Sequence, residues 1–352
     1  MVQGEVNDTM ASFRRIGWGV LRGAIGLGIA GVLIYFTLRK TGADPWQLLA
    51  ASDKRFLALM FMLPGAYLGL GAFRWFLLLN VQGIELKGAD AVRLCLIGFF
   101  FNLAIPGAVG GDLVKMAHLA RHTPGKRTEV VFTSVVDRLL GLMGLFILAG
   151  VMVLISIPSL RQLDEVWLQA VTVIVALGSL GGLLGVVLIE LRGKLIAVRW
   201  ISALVDAAGR WLPRRVVQIV MKMTNALELF RCNRRAVAMA LLLSVAVHFT
   251  IAVTLFCGGA ALGEQRLGFG DYVLTTQVAN AVAAVPITPA GLGTRDAVVA
   301  ALFSGMGAVD EKAGAIPVMF SLSILLWGII GGGVFTLSPR IRYPVQSEFL
   351  EK

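Results

Sequence analysis

The sequence predicts an all-α integral membrane protein with about six full spans plus two oppositely oriented, Pro/Gly-broken re-entrant helical hairpins, an arrangement like that of transporters built on inverted repeats. Three observations carry this expectation. Hydrophobic residues make up 57% of the 352 residues and charged residues only 15%, against about 25% charged for an ordinary soluble domain. The apolar residues are gathered into long blocks, each near the roughly 20 residues that a bilayer crossing requires. Two further apolar stretches are interrupted at their centres by Pro and Gly, and ionisable residues sit beside the interruptions.

The full spans are expected at Gly23 to Leu38, Phe56 to Leu79, Val130 to Ile157, Val166 to Ile189, Ala236 to Leu262 and Ala315 to Leu337. The whole chain, 1–352, is read as one transmembrane domain. Arg14, Arg15 and Arg22 precede the first block, but so do Glu5 and Asp8, and it closes in Tyr35-Phe36-Thr37-Leu38-Arg39-Lys40 without a small-residue cleavage site. It is therefore expected to be a retained helix and not a signal peptide. Cys95, Cys232 and Cys257 are scattered singly and imply neither a disulfide framework nor a zinc site.

A net charge of +11 in such a chain reflects the positive-inside bias before it reflects a partner, and nucleic acid is not expected. Ten Lys or Arg residues lie between Arg192 and Arg235. Within the basic segment 190–235, Ile196, Trp200, Leu204, Ala208 and Trp211 recur at helical spacing. After Pro213, so do Val216, Val220, Met223, Leu227 and Phe230. Two amphipathic helices follow, lying on the inner leaflet or packing on the cytoplasmic ends of the bundle. Counting basic residues outward from this anchor places both termini in the cytoplasm of a multi-pass protein of the plasma (inner) membrane. Arg39, Lys40, Lys54 and Arg55 fall outside and run against the rule.

That topology leaves two stretches that are not ordinary spans. Residues 92–121 have cytoplasmic charge at both ends and centre on Pro106, Gly107, Gly110 and Gly111; residues 272–304 begin and end outside and centre on Pro286, Pro289, Gly291 and Gly293. Each reads as a re-entrant hairpin, the two entering from opposite faces. Broken backbone at membrane depth is tolerated only where protein or a watery cavity satisfies it. An arm of about ten residues rises about 15 Å, half of a core about 30 Å thick, so the tips are expected at one depth. Glycines such as Gly178, Gly182, Gly185, Gly328 and Gly332 are expected only to let helices pack closely.

Seven charges lie inside or beside these apolar stretches: Arg74, Asp112, Lys115, Asp137, Arg138, Arg295 and Asp296. Exposing all of them to lipid would cost about 20 kcal/mol, more than the stability of a typical domain. They must face one another or water. Four positive charges against three negative leave one surplus positive charge, which suits a single anionic group, with freed N–H groups at the half-helix starts as further donors. Asp112 and Asp296 are expected to cap those starts or to pair with basic neighbours. The competing reading is a set of salt bridges that only fixes helix register, and Asp137 with Arg138 is the pair expected to be purely structural.

Weaker signals lead elsewhere or nowhere. Gly26, Gly28 and Gly31 spell a dinucleotide fingerprint, but inside a span with no strand before it. His118 and His122 share a helical face without an evident third ligand, so no metal is expected. His248 is read as a satisfied core residue. Ser-His-Asp, nucleophilic Cys and P-loop arrangements do not occur in the sequence, and no cofactor is expected.

At Asn102-Leu103-Ala104-Ile105-Pro106-Gly107-Ala108-Val109-Gly110-Gly111-Asp112-Leu113-Val114-Lys115, at Asp137-Arg138 with Gly141, at Arg74-Trp75, and at Pro286-Ile287-Thr288-Pro289-Ala290-Gly291-Leu292-Gly293-Thr294-Arg295-Asp296, the chain resembles the lysylphosphatidylglycerol synthase transmembrane region family. The family pattern at the last motif has Gly where this chain has Ala290 and Glu where it has Asp296. The resemblance implies a flippase-like domain standing without the aminoacyltransferase domain of some members, so the chain is not expected to make lysylphosphatidylglycerol by itself. It also implies handling of an aminoacylated phospholipid, a polyprenyl-phosphate-linked sugar or a hopanoid-type lipid.

The expected function is a lipid flippase or lipid transporter for a headgroup that is anionic or amphipathic. Its substrate site would comprise Arg74, Asn102, Asp112, Lys115, Asp137, Arg138, Arg295 and Asp296, and its partners are membrane lipids, with homo-oligomerisation left open. The alternative is a membrane-embedded enzyme or accessory subunit acting on a lipid-linked substrate, with Asp112 as a base. A scaffold that recruits partners through the basic segment would leave the seven charges unexplained.

Overall fold

A computed structural model describes residues 51–104, 110–123, 125–155, 229–230, 232–283 and 288–337, with a few single positions elsewhere. Among the described residues the structure is helical, without strands. Among the described residues eight α-helices run α1 Lys54–Val81, α2 Gly88–Ala104, α3 Gly110–His122, α4 Arg127–Ile155, α5 Arg234–Ala261, α6 Phe269–Ala283, α7 Thr294–Gly305 and α8 Asp310–Leu337. A 3-10 turn at Pro289–Gly291 precedes α7.

Four of these helices, α1, α4, α5 and α8, are long and apolar enough to cross a membrane. They coincide with four of the six expected spans. The spans expected at 23–38 and 166–189 lie outside the described residues, except for isolated positions, and most of the basic segment 190–235 does too. At the end of that segment Phe230 is buried against Leu78, Leu140 and Ala240, which packs it on the bundle.

The four shorter helices form two pairs. The first, α2 and α3, flanks residues 105–109, and the second, α6 and α7, flanks the stretch between Ala283 and Thr294 that holds the 3-10 turn. These are the two stretches that the sequence marks as broken; Pro106, Gly107 and Pro286 themselves lie outside the described residues. The arms contain 17, 13, 15 and 12 residues. At 1.5 Å per residue they run from about 18 to about 25 Å, longer than the half-crossing of about 15 Å expected from ten residues. Their first turns carry Asp90, Asp112, Asp271 and Asp296. In α2 and α6 that polar turn extends the arm beyond its apolar part.

Packing is close where small residues allow it. Gly98 of α2 and Gly111 of α3 meet backbone to backbone, and a Cβ on Gly111 would overlap the Gly98 carbonyl. On α8, Gly331 faces the Leu96 carbonyl and Gly332 lies against Phe100, so α2 seats on a groove of glycines. Gly65 leaves room for the Trp327 ring, whose Nε1 donates to the Phe61 carbonyl at 2.8 Å and pins α8 to α1. Two of the buried apolar clusters that result among the described residues hold the helix pairs. One joins α1 to α5, α6, α7 and α8 around Tyr272, Phe303 and Phe320; the other joins α1 to α2, α3 and α4 around Trp75 and Leu94.

Candidate functional site

Between these clusters lies a cavity of about 380 Å³, walled by residues of α1 to α7 and of the 3-10 turn. Both helix breaks border it, through Asn102 and Asp112 on one side and Ala283, Ala290 and Arg295 on the other. The 3-10 turn also touches α2 directly. At this size the cavity falls at the small end of ligand pockets, about 300–1,000 Å³.

Five charges interlock along one wall. Arg74 Nε donates to Asp137 Oδ1 at 2.7 Å, and Arg74 also donates to the Ser244 hydroxyl at 2.9 Å. Lys115 reaches Asp112 at 2.9 Å and Asp137 at 3.9 Å. Arg138 closes on Asp112 through Nε at 2.6 Å and a terminal nitrogen at 2.5 Å. Helix spacing explains the pattern, because Asp112 and Lys115 stand one turn apart on α3. Asp137 and Arg138 are neighbours on α4 and diverge by about 100°. The expected Asp137–Arg138 pair is therefore corrected: each joins another helix, Asp137 to α1 and α3 and Arg138 to α3. The Lys115 ammonium also lies 4.8 Å from the centre of the fully buried Trp75 ring.

The second break is built differently. Ala290 has φ 50°, a left-handed conformation, followed by Gly291 at 71° and Gly293 at 77°. Among the described residues Ala290 is the single non-glycine with positive φ. Asp296 does not line the cavity and takes the capping role expected for it. Its Oδ2 accepts from the Gly293 N–H at 3.0 Å, and both carboxylate oxygens lie within hydrogen-bond reach of the Ser321 hydroxyl, at 2.7 and 2.6 Å. It is fully buried, at the third position of α7, from which its carboxylate accepts the N-cap N–H, the half of a capping box that a glycine N-cap allows. Arg295 stays on the cavity wall, held by Ser321 at 2.8 Å, by Asp296 at 3.4 Å and over the Phe320 ring at 4.5 Å.

Two expected donors are already engaged. The Gly111 N–H donates to Asn102 Oδ1 at 2.7 Å, so Asn102 ties α2 to the start of α3 across the break. The Gly293 N–H is held by Asp296. Neither remains for a ligand. Asp112 does not cap α3 as one alternative had it; it takes the other expected role and pairs with basic neighbours.

The seven cavity-wall residues of the expected eight are thus Arg74, Asn102, Asp112, Lys115, Asp137, Arg138 and Arg295. The sequence reading left out Cys95, Gly141, His248 and Asn280, which line the same space. Gly141 gives its carbonyl to His248 Nε2 at 3.1 Å and leaves room for the Arg74 guanidinium. His248 is thus not a fully satisfied core residue. A single His in an apolar span and an Asn three residues after Gln277 in α6 were the available signals. His118 and His122 stack at 4.7 Å, and among the described residues no cluster of three metal-ligating side chains forms.

A helical bundle in which two pairs of shorter helices border a charged cavity defines a polytopic membrane protein with a polar site among its helices. The chain matches the model of the lysylphosphatidylglycerol synthase TM region over residues 23–332, and it belongs to that family. It is also similar to two archaeal proteins, each described as a UPF0104 membrane protein. The one from Methanothermobacter thermautotrophicus is 23% identical over 306 residues, covering 82% of this chain and 86% of the relative. The one from Pyrococcus horikoshii is 24% identical over 313 residues, covering 84% and 90%.

Proposed function

We propose that the chain is a lipid flippase or transporter, moving a lipid with an anionic or amphipathic headgroup between leaflets through the cavity at the two breaks. The observation that carries the reading is the composition of that cavity's wall: four cations, Arg74, Lys115, Arg138 and Arg295, against Asp112 and Asp137. Asp296 behind the wall offsets Arg295, leaving one surplus positive charge. Intramembrane ionisable residues are costly, and where they surround a space they mark ligand or ion paths. Both helix pairs would then be re-entrant, inserted from opposite faces, so that the site is reached alternately from either side.

The alternative, an enzyme using Asp112 as a base, has less support. That carboxylate is clamped between Lys115 and Arg138, which leaves its oxygens engaged. Reconstitution into vesicles separates the readings. A reporter phosphatidylglycerol in the inner leaflet should become accessible outside without covalent change, and Lys115→Ala with Arg138→Ala should slow this at least tenfold in protein that remains folded. A chemically altered lipid, or normal movement by the double variant, would overturn the proposal.

A further inference from the structure

Three residues of the cavity wall carry buried hydrogen-bonding atoms that the protein leaves unused. His248 Nε2 donates to the Gly141 carbonyl, so the Nδ1 of the neutral ring is an acceptor, and it is buried without a partner. Asn280 Nδ2 and Arg295 Nε, both donors, are buried and unpartnered as well. All three side chains line the cavity, from α5, α6 and α7, while the interlocked charges come from α1, α3 and α4. Arg295 is almost wholly buried. Buried polar atoms are rarely left unpaired in folded proteins, and three on the wall of one cavity mark a place where a water, an ion or a ligand group completes the pairing.

Two donors and one acceptor are matched by uncharged hydroxyls, each of which both gives and accepts a hydrogen bond. An ammonium group has only donors to offer, so it leaves Asn280 Nδ2 and Arg295 Nε unanswered. It would also enter a space already walled by four cations against two carboxylates. We propose that His248, Asn280 and Arg295 form a hydroxyl-binding subsite beside the charge cluster. The headgroup is then a phosphate carrying an uncharged polyol, a glycerol or a sugar, and not an aminoacylated one. This rests on the anionic-lipid reading above and narrows it. It also sets this chain apart from the lysylated lipid in the family's description.

The full chain in detergent is titrated with phosphatidylglycerol, phosphatidylpropanol and lysylphosphatidylglycerol, and bound lipid is counted by native mass spectrometry. The first two share a phosphodiester and a three-carbon headgroup and differ only in the hydroxyls. Phosphatidylglycerol should bind about tenfold more tightly than phosphatidylpropanol, and lysylphosphatidylglycerol more weakly than either. His248→Phe and Asn280→Leu should bring the ratio between the first two close to one. Equal binding of that pair by the unaltered protein, or a preference for the lysylated lipid, would overturn the subsite while leaving the anionic reading intact. Failure of both anionic lipids to exceed phosphatidylcholine would overturn the anionic reading and the subsite together. Glycerol 3-phosphate competing as strongly as the lipid would overturn the assignment to a lipid. Because the central comparison uses unaltered protein, misfolding of a variant does not remove the test.

Discussion

Ala290 occupies a backbone conformation that costs a residue with a Cβ about 1–2 kcal/mol and costs glycine almost nothing. The departure from the family pattern thus falls where its price is readable, at a position of φ 50° on the cavity wall. Ala290→Gly should raise thermal stability in detergent by about 1 kcal/mol, and Ala290→Val should lower it, because a β-branched side chain is poorly accommodated there. An unfolding midpoint that does not rise in the glycine variant would mean that the strain is relieved by other means. The charge cluster gives a second prediction at this scale. Removing Arg74 leaves Asp137 with Lys115 at 3.9 Å as its remaining ion-pair partner. Breaking a buried pair from one side destabilises by about 3–5 kcal/mol, whereas removing both partners can be nearly neutral. Arg74→Leu should therefore unfold at markedly lower temperature than Arg74→Leu/Asp137→Leu. If the double variant is the less stable, the pair contributes more than mutual neutralisation.

At the scale of elements, the Pro and Gly interruptions and the charges beside them were legible because both violate the composition of a plain span. Which carboxylate meets which cation was not, since sequence adjacency placed Asp137 with Arg138 while helix packing sends them to different partners. Asp296 was partly legible: three residues after Gly293, at the start of a helix, is the position from which a carboxylate caps. The close approach of α2 and α3 was carried by Gly111, whose role as a break residue concealed its role as a contact. Gly111→Ala would push a methyl into the Gly98 carbonyl. Overpacking of this kind costs about 1–3 kcal/mol. It should also slow lipid movement at least tenfold, by shifting Asp112 and Lys115 from their partners. Unchanged stability and movement would show that the arms can separate without consequence.

For the molecule as a whole, the cluster around Trp75 anchors the first helix pair to α1 and α4, the cluster around Phe303 and Phe320 anchors the second to α1, α5 and α8, and both pairs border the charged cavity. Outward-facing side chains such as Met62, Leu242 and Ile329 are apolar and exposed, as a surface turned toward lipid requires. The central claim is that a lipid headgroup leaves that surface and enters the cavity. A phosphatidylglycerol bearing a photoreactive group on its headgroup, incorporated into vesicles with the protein and activated by light, reports where headgroups reside. Peptide mapping should place crosslinks on Phe99, Asn102, Leu142 and Leu145 of the cavity wall, and Lys115→Ala/Arg138→Ala should remove them. Crosslinks confined to Met62, Leu242, Ile329 and their outward-facing neighbours, unchanged in the double variant, would contradict the account.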